Sequence, residues 1–447
     1  MKNYFKLFML ASLIGLTLFS VSCKKDSTNS GFKSNTIVDV AMANPDFSTL
    51  VTALKMTGLD IALSNTIENF TVFAPTNAAF TALLSELKVS SLNDIPTATL
   101  TKVLLYHVKS GKASASQITT GYYSSMAAGP ADGSFLSMYV DMSTTTINGR
   151  SKITKTDIAA NNGVIHVIDK VLLPMSITDH AIANPTFSSL VAAVVKANLV
   201  SPLADNSKTY TVFAPTNAAF ASLLSKLGVT LNDLSAATLT PILLYHVLNG
   251  YIPAAKVTAG YFPTLSSAFG KNVVVQIATT NGVLLNNSSK VIATDVVATN
   301  GIIHVIDQVL LPPTVVDLAL QNSMFSTLVL AVVKADLATT LSGTGPFTVF
   351  APTNDAFAAL FSALKISGVD ALTKEQLTPI LLAHVVSGNV QSGSLSSGIV
   401  PTLNSSKSLN VTVGSSGVTI GTDIHVIKAD VQGSNGVVHV IDKVIVP

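Results

Sequence analysis

The chain has little cysteine, arginine or charge. A single cysteine, Cys23, excludes intrachain disulfides, so each folded unit must be stabilised by its own core. Arg150 is the only arginine, which nearly excludes bidentate clamps on phosphate or carboxylate groups. Charged residues make up only 11% of the sequence, and beyond the N-terminus no apolar run reaches the roughly 18 residues that a membrane-spanning helix needs.

The few charges also balance. The formal net charge is +2, and Lys2 and Lys6 account for this excess in a segment that we expect to be removed. A neutral chain has no basic surplus with which to attract nucleic acid or an anionic membrane surface. We therefore expect no nucleic-acid partner.

Catalytic signatures are missing as well. The sequence has no Gly-x-Ser-x-Gly elbow, no His-Glu-x-x-His pair and no glycine-rich phosphate loop. Its many serines occur in turn-like clusters such as 392–397. We expect no catalytic residue and no cofactor, and thus a protein that is not an enzyme.

The N-terminus has the features of a bacterial export signal. Two lysines precede an apolar run at 7–21, which is too short to span a bilayer stably. The run ends at Ser20-Val21-Ser22, directly before Cys23, a pattern that resembles a lipobox. An ordinary signal peptide with an incidental cysteine is the alternative, but the polar residues that follow favour a lipoprotein. We predict a signal peptide at 1–22 and a lipidated polar tether at 23–35.

One phrase occurs three times in the chain, and a second phrase follows each copy. Successive copies of the first phrase begin 140 and then 137 residues apart, and this distance is the length of a whole domain. The first phrase lies at 70–80, 210–220 and 347–357, and the second at 162–169, 300–307 and 435–442. The repeats predict three modules, at 36–174, 175–312 and 313–447.

Hydrophobic spacing predicts alternating helices and strands in each module. In the first copy, apolar residues at offsets of zero, three, four and seven predict two amphipathic helices. These are Phe47, Leu50, Val51 and Leu54 in one helix, and Phe80, Leu83, Leu84 and Leu87 in the other. A short buried strand at 71–73 should end at Pro75, and Thr76 or Asn77 should cap the second helix. Residues 272–277 and 408–413 are predicted strands of the later halves.

The repeated phrases resemble the signatures of the fasciclin domain. Phe-Ala-Pro-Thr-Asn in the first phrase, the Leu-Leu-Tyr-His-Val at 104–108 and the closing Asn-Gly-x-x-His-x-Ile-Asp carry this resemblance, which covers 36–447. It implies an α+β fold of three tandem modules, each a β-sandwich wedge packed with several helices. It also implies extracellular adhesion or matrix binding, and no established chemistry.

Six of the eight histidines fall in the repeated motifs, two in each module and 55 to 59 residues apart. Two ligands are too few for a metal site, and His166 and Asp169 should lie on opposite faces of one strand. We therefore predict no metal site. Buried histidines that hydrogen-bond to the backbone are the favoured interpretation.

The Tyr-His pair is linked by the resemblance to integrin recognition in animal relatives. Tyr106 and His107 match it in the first module and Tyr245 and His246 in the second, whereas Ala383 replaces the tyrosine in the third. Neighbouring leucines favour core packing, with partner binding as the alternative.

An Asp-Ile element before the second phrase is the other feature that the resemblance links to integrins. Asp157 and Ile158 match it, and Asp295 and Asp430 match with valine in place of isoleucine. A strand-end aspartate that satisfies the amides of a turn is the favoured interpretation, and an exposed partner contact is the alternative.

Tyr122 and Tyr123 add aromatic rings to a stretch rich in glycine, alanine and serine. Aromatic loops anchor sugars or proteins, but these rings could equally cover the neighbouring module, and both interpretations stay open.

These features predict a non-enzymatic adhesion or binding lipoprotein on the bacterial surface. Tandem modules would contact extracellular glycans, matrix proteins or cells, and acyl chains on Cys23 would insert into the membrane. Lys24 follows the cysteine where inner-membrane retention would favour aspartate, so we expect the outer membrane, on its periplasmic or its cell-surface face. The alternative is an accessory or scaffold subunit of an outer-membrane, glycan-handling complex.

Overall fold

The computed structural model describes residues 35–415 and 417–447. The predicted signal peptide, Cys23 and nearly all of the tether lie outside the described residues. The three modules share one order of helices and strands.

The first module has five helices and seven strands. Its helices are α1 Ile37–Ala43, α2 Ser48–Thr57, α3 Leu59–Leu63, α4 Asn77–Leu87 and α5 Thr97–Tyr106. Its strands are β1 Phe70–Pro75, β2 Val108–Ser110, β3 Gly121–Ala128, β4 Phe135–Asp141, β5 Thr146–Ile147, β6 Ser151–Ala160 and β7 Gly163–Ile168.

The second module repeats this order. Its helices are α6 Ile177–Ala183, α7 Ser188–Lys196, α8 Val200–Ala204, α9 Asn217–Leu227 and α10 Ala236–Tyr245. Its strands are β8 Tyr210–Pro215, β9 Val247–Asn249, β10 Gly260–Ala268, β11 Lys271–Ala278, β12 Leu284–Leu285, β13 Ser289–Ala298 and β14 Gly301–Ile306.

The third module repeats it again. Its helices are α11 Val315–Leu320, α12 Ser326–Lys334, α13 Ala338–Leu341, α14 Asn354–Leu364 and α15 Lys374–Ala383. Its strands are β15 Phe347–Pro352, β16 Val385–Ser387, β17 Gly398–Pro401, β18 Ser408–Gly414, β19 Gly417–Ile420, β20 Ile424–Gln432 and β21 Gly436–Ile441. One-turn 3-10 helices connect the elements of the three modules at Pro45–Phe47, Leu92–Asp94, Ala115–Gln117, Pro185–Phe187, Leu231–Asp233, Ala254–Lys256, Ser323–Phe325, Val369–Ala371 and Ser392–Ser394.

The two repeated phrases form neighbouring strands at the centre of each module. In the first module the strand order is β2-β1-β7-β6-β5-β4-β3, and the third module has the same order. β1 and β7 run parallel, with Phe73 opposite His166. In the second module the sheet closes into a barrel, because Thr264 of β10 pairs with Leu248 of β9. The α+β architecture of three tandem modules confirms the predicted fold class.

The Asn-Gly pair that repeats in each module has both a steric and a hydrogen-bonding role. A Cβ on Gly163 would lie 2.1 Å from the carbonyl oxygen of Phe70, so only glycine fits where β7 begins beside β1. Asn162 accepts a 2.8 Å hydrogen bond from the Ile37 amide and donates to the carbonyl of Leu63 at 2.7 Å. The pair thus joins the first helix, the end of α3 and the central strands.

Local capping follows the prediction closely. Thr76 is the N-cap of α4, and its hydroxyl accepts a hydrogen bond from the amide of Ala79. Phe80 is fully buried, but the predicted burial of Leu87 is wrong, since 45% of its surface is exposed. Leu87 is the last residue of the helix, and Lys88 then turns the chain in the left-handed conformation with φ of 57°.

Each central strand separates two apolar cores. Side chains alternate across a strand, so Val72 and Ala74 pack with the helices, whereas Phe73 faces the interior of the folded sheet. The helix-side core of the first module also contains Phe47 and Phe80. This arrangement leaves two surfaces available for contacts: the outer faces of the helices, and the strand pair at the end of the sheet, which is β3–β4 in the first module.

Candidate partner-binding surfaces

The Tyr-His pair of the first module lies in the core. Tyr106 is fully buried, its hydroxyl donates to the Ser137 carbonyl at 2.6 Å, and burial raises its pKa. His107 Nδ1 lies 2.7 Å from the Val103 carbonyl, and Nε2 accepts the amide of Leu172 at 2.8 Å. Since Nε2 accepts, Nδ1 carries the proton, and burial lowers the pKa of His107 to about 4.

The other modules repeat this arrangement. His246 Nε2 accepts the Leu310 amide at 2.9 Å, and His384 Nε2 accepts the Ile445 amide at 2.9 Å. Tyr245 is also fully buried, with its hydroxyl 2.9 Å from the Val274 carbonyl. Each histidine lies at the C-terminal end of a helix, α5, α10 or α15, and its hydrogen bonds connect that helix to the closing segment of the module. These positions favour the core-packing interpretation of Tyr106, His107, Tyr245 and His246 over a direct partner contact.

The second histidine of each module lies on the last strand, next to the Asp-Ile element of the strand before it. His166 Nε2 lies 3.0 Å from the Ala113 carbonyl, and the amide of Asp157 approaches Nδ1 at 3.4 Å. The carboxylate of Asp157 accepts the Ala115 amide at 2.9 Å, as Asp295 does from Ala254. The aspartates thus satisfy backbone amides across the loop.

Exposure differs along this element. Asp157 and Asp295 are exposed, whereas Ile158 packs partly against the helix-side core. In the third module Asp430 is half-buried and binds both the amide and the hydroxyl of Ser392, at 2.7 and 2.5 Å. A partner contact through these aspartates stays a prediction.

Tyr122 covers the neighbouring module. Its hydroxyl accepts a 3.2 Å hydrogen bond from Asn184 Nδ2, and its ring centroid lies 5.6 Å from that of His180. The ring also packs against Tyr139 at 5.1 Å. Tyr123 instead hydrogen-bonds to Thr119 within its own module. Of the two interpretations of Tyr122, a partner-binding loop residue or a residue that covers the neighbouring module, its contacts favour the second.

The second junction is built in the same way. Tyr261 accepts a 3.1 Å hydrogen bond from Asn322, and Lys428 Nζ lies 4.4 Å from the centroid of the Tyr261 ring. Val274 of the second module packs into the helix-side core of the third. Sequence reasoning missed this junction, although the shared Gly-Tyr that begins β3 and β10 signals it.

Sequence reasoning also missed an apolar helical face that recurs in the modules. In the third module Leu320 of α11 and Val333 of α12 are 58% and 62% exposed and line the mouth of an apolar cavity of about 80 Å³. Ile182 lines a cavity of about 50 Å³ in the second module, and Val195, the counterpart of Val333, is exposed on α7. The equivalent cavity of the first module is about 20 Å³, and Lys55 replaces the valine there. The cavity thus grows from the first module to the third, and the first module has a lysine where the other two expose a valine.

The polar groups are engaged in structure rather than assembled for chemistry. Among residues 35–415 and 417–447, no three His, Cys, Asp or Glu side chains are grouped to hold a metal ion. Arg150 pairs with Glu86 at 3.0 Å on the surface. No helix in the described part of the chain has the length and apolarity to cross a bilayer.

Repeated α+β modules, each closed by a histidine and an Asn-Gly pair, define a chain of three tandem domains with one fold. Residues 45–174, 185–312 and 323–447 each match the fasciclin domain. The chain belongs to the fasciclin domain family, which confirms the resemblance seen in its motifs.

Relatives from several kingdoms match the chain over different lengths. Human periostin is 30% identical over 402 residues, or 85% of this chain, and ig-h3 of Oryctolagus cuniculus, a transforming growth factor-beta-induced protein, is 29% identical over 93% of it. A Synechocystis protein, sll1483, is 48% identical over 134 residues, which are 30% of this chain and 73% of that protein. The alignments span 44% of periostin and 58% of ig-h3.

Proposed function

We propose that this protein is a surface-anchored, non-enzymatic adhesion lipoprotein whose tandem fasciclin modules bind extracellular proteins, glycans or cells. The observation that carries the proposal is the repeated apolar helical face, which consists of Ile182 and Val195 in the second module and Leu320 and Val333 in the third. Large exposed apolar side chains that cluster at one place are typical of protein-interaction sites.

Repetition of this face in two modules should strengthen binding. Two weak sites on one chain turn the second binding step into an intramolecular one, so avidity exceeds the affinity of either site. The stronger faces lie in the modules farther along the chain from the predicted anchor at Cys23.

The chemistry of the face favours protein partners over free glycans. The cavity behind Leu320 and Val333 is lined almost wholly by aliphatic side chains, and both ring nitrogens of His384 at its wall are already hydrogen-bonded. A sugar needs hydrogen-bonding groups, whereas an apolar side chain of a partner does not.

The scaffold alternative gains no observation of its own. Tyr122 and Tyr123 are the residues at which such a complex would be expected to contact the chain, and Tyr122 packs against the second module. We therefore argue the adhesion role alone.

The test compares Val195→Lys, Val333→Lys and the double variant for retention on immobilised matrix proteins and on cells. Loss of one face should lower apparent affinity by about 10²-fold, because avidity is lost. The double variant should bind no better than background. Ile67→Lys is the matched control, since Ile67 is 89% exposed on a loop away from this face. Unchanged binding by both single variants and the double variant would refute the proposed face, and failure of the unaltered protein to bind any matrix, glycan or cell surface would refute the adhesion role.

A further inference from the structure

Both junctions between modules use the same two surfaces. We call the first the strand-pair surface, which is β3–β4, β10–β11 or β17–β18 of the three modules. We call the second the receiving surface, which is the first helix with the long strand: α1–β6, α6–β13 or α11–β20. At each junction the strand-pair surface of one module packs on the receiving surface of the next.

The strand-pair surfaces correspond residue by residue. Tyr122 pairs with Tyr139, Tyr261 with Gln276 and Ile399 with Asn410, and each first residue follows the glycine that begins its strand. On the second strand of each pair, the residue two positions before Tyr139, Gln276 or Asn410 also corresponds. These residues are Ser137, Val274 and Ser408. Ile399 of the third module thus takes the place of the two junction tyrosines.

The strand-pair surface of the third module is open. Ile399 is 79% exposed, and Asn410 and Ser408 are exposed beside it. Their counterparts Tyr139 and Ser137 are buried at the first junction. An isoleucine exposed to this degree costs free energy unless another surface covers it.

The receiving surface of the first module is open as well. Ala159 is exposed, whereas its counterpart Val297 is buried and donates its amide to the Ser137 hydroxyl at 2.9 Å. Asn44 is half-exposed and accepts the Asp46 amide through its Oδ1. Its counterpart Asn184 accepts the Thr186 amide in the same way and uses its Nδ2 for Tyr122.

We propose that these two open surfaces bind each other in different copies of the chain, so that the third module of one copy docks on the first module of another. The occupant is a second copy because the two surfaces are the two halves of an interface that the chain already makes twice. Ser408 would accept the Ala159 amide as Ser137 accepts that of Val297, and Ile399 would pack on α1 beside Asn44.

The contact is head-to-tail, so it does not close into a symmetric pair and can add further copies. It should be weaker than the internal junctions, because Ile399 lacks the tyrosine hydroxyl and no linker holds the two modules together. The inference goes beyond the proposed adhesion role and depends on neither the anchor nor the helical face, so either can fail without the other.

The first test measures mass against concentration by sedimentation velocity, using the chain from Lys24 onward, which retains all three modules. The unaltered protein should associate reversibly as concentration rises. Ile399→Tyr restores the hydroxyl for Asn44 and should raise the association constant about five- to tenfold, the worth of one hydrogen bond. Ile399→Lys and Ala159→Lys should each leave monomers, while Ile67→Lys should associate normally. Circular dichroism melting confirms that each variant is folded.

The second test mixes the two disabled chains. Ile399→Lys keeps a competent first module and Ala159→Lys a competent third module, so a mixture should give a one-to-one complex and nothing larger. If the unaltered chain and Ile399→Tyr both stay monomeric, the proposal is wrong. Dimers of Ala159→Lys alone would indicate a symmetric pairing of third modules and would also overturn it.

Discussion

The repeated histidines act as backbone connectors. Each histidine at the end of a helix accepts an amide from the closing segment through Nε2, which only the neutral ring can do in this tautomer. Burial lowers the pKa of His107, His246 and His384 to about 4. Their structural role explains why the residue repeats with the fold.

Stability should therefore fall on mild acidification. In this pH window the unfolded chain, with histidine pKa near 6.5, binds more protons than the folded chain, so unfolding free energy is lost as pH drops from 6.5 toward 4. Each such histidine would contribute at most roughly 3 kcal/mol. Urea denaturation of the full chain at pH 7, 6, 5 and 4.5 measures the effect, and a constant free energy of unfolding across this range would contradict it.

His180 provides a matched variant for this experiment. It is fully buried, burial lowers its pKa to about 4, and its ring nitrogens make no hydrogen bond of good geometry, the Val297 backbone being only a weak contact. Leu318 and Val40 occupy the same position in the other modules. His180→Leu should retain stability at pH 7 and reduce its loss at pH 5, whereas His107→Leu should destabilise at pH 7 because Leu172 loses its acceptor.

At the scale of elements, the Asn-Gly pair determines how the first helix meets the central strands. Asn300 accepts the Ile177 amide at 2.9 Å and donates to Leu203 at 2.8 Å, just as Asn162 does in the first module. A Cβ on Gly301 would lie 2.0 Å from the Tyr210 carbonyl oxygen. The two residues work together, one by hydrogen bonds and the other by leaving space.

Asn300→Ala should lower the free energy of unfolding of the second module by about 2–4 kcal/mol, since it leaves a buried amide and carbonyls unpaired. Thermal melting of the full chain measures this, with Asn249→Ala as the control because Asn249 is exposed at the end of β9. Equal melting temperatures for the two variants would argue against the hydrogen-bonding role.

Local elements could be predicted from sequence, while contacts between distant segments could not. The central strand, the cap at Thr76 and the apolar helix faces follow from spacing and residue type. The parallel pairing of β1 with β7 joins residues far apart, and a single sequence gives no signal for it. Tyr122 shows the same limit. The composition of the surrounding sequence fits both a free loop and a junction, and only the fold places Tyr122 against Asn184.

At the scale of the whole molecule, the predicted anchor determines where the modules act. Cys23 lies outside the described residues, so its lipidation stays a proposal. Three acyl chains would insert at about 0.8 kcal/mol per buried methylene, and two or more chains hold a protein stably on a membrane.

Cys23→Ser should release the protein into soluble fractions or leave it with an uncleaved leader, because the acylated residue is lost. Membrane fractionation and the mobility of the mature chain measure both outcomes, with Ser22→Ala, a small residue for a small residue, as the control. Normal processing with full membrane retention of the Cys23→Ser chain would disprove the lipoprotein assignment.

The parallel pairing of the first and last strands also governs the order of folding. Phe70 lies beside Gly163, so about 90 residues must be made before the centre of the first sheet can close. Loops of this length close slowly, and topologies with such distant pairings fold late. A module emerging from its N-terminus therefore stays open until its final strand is present. That delay would suit the export predicted from the N-terminus, in which the chain crosses a membrane unfolded and acquires its shape on the far side.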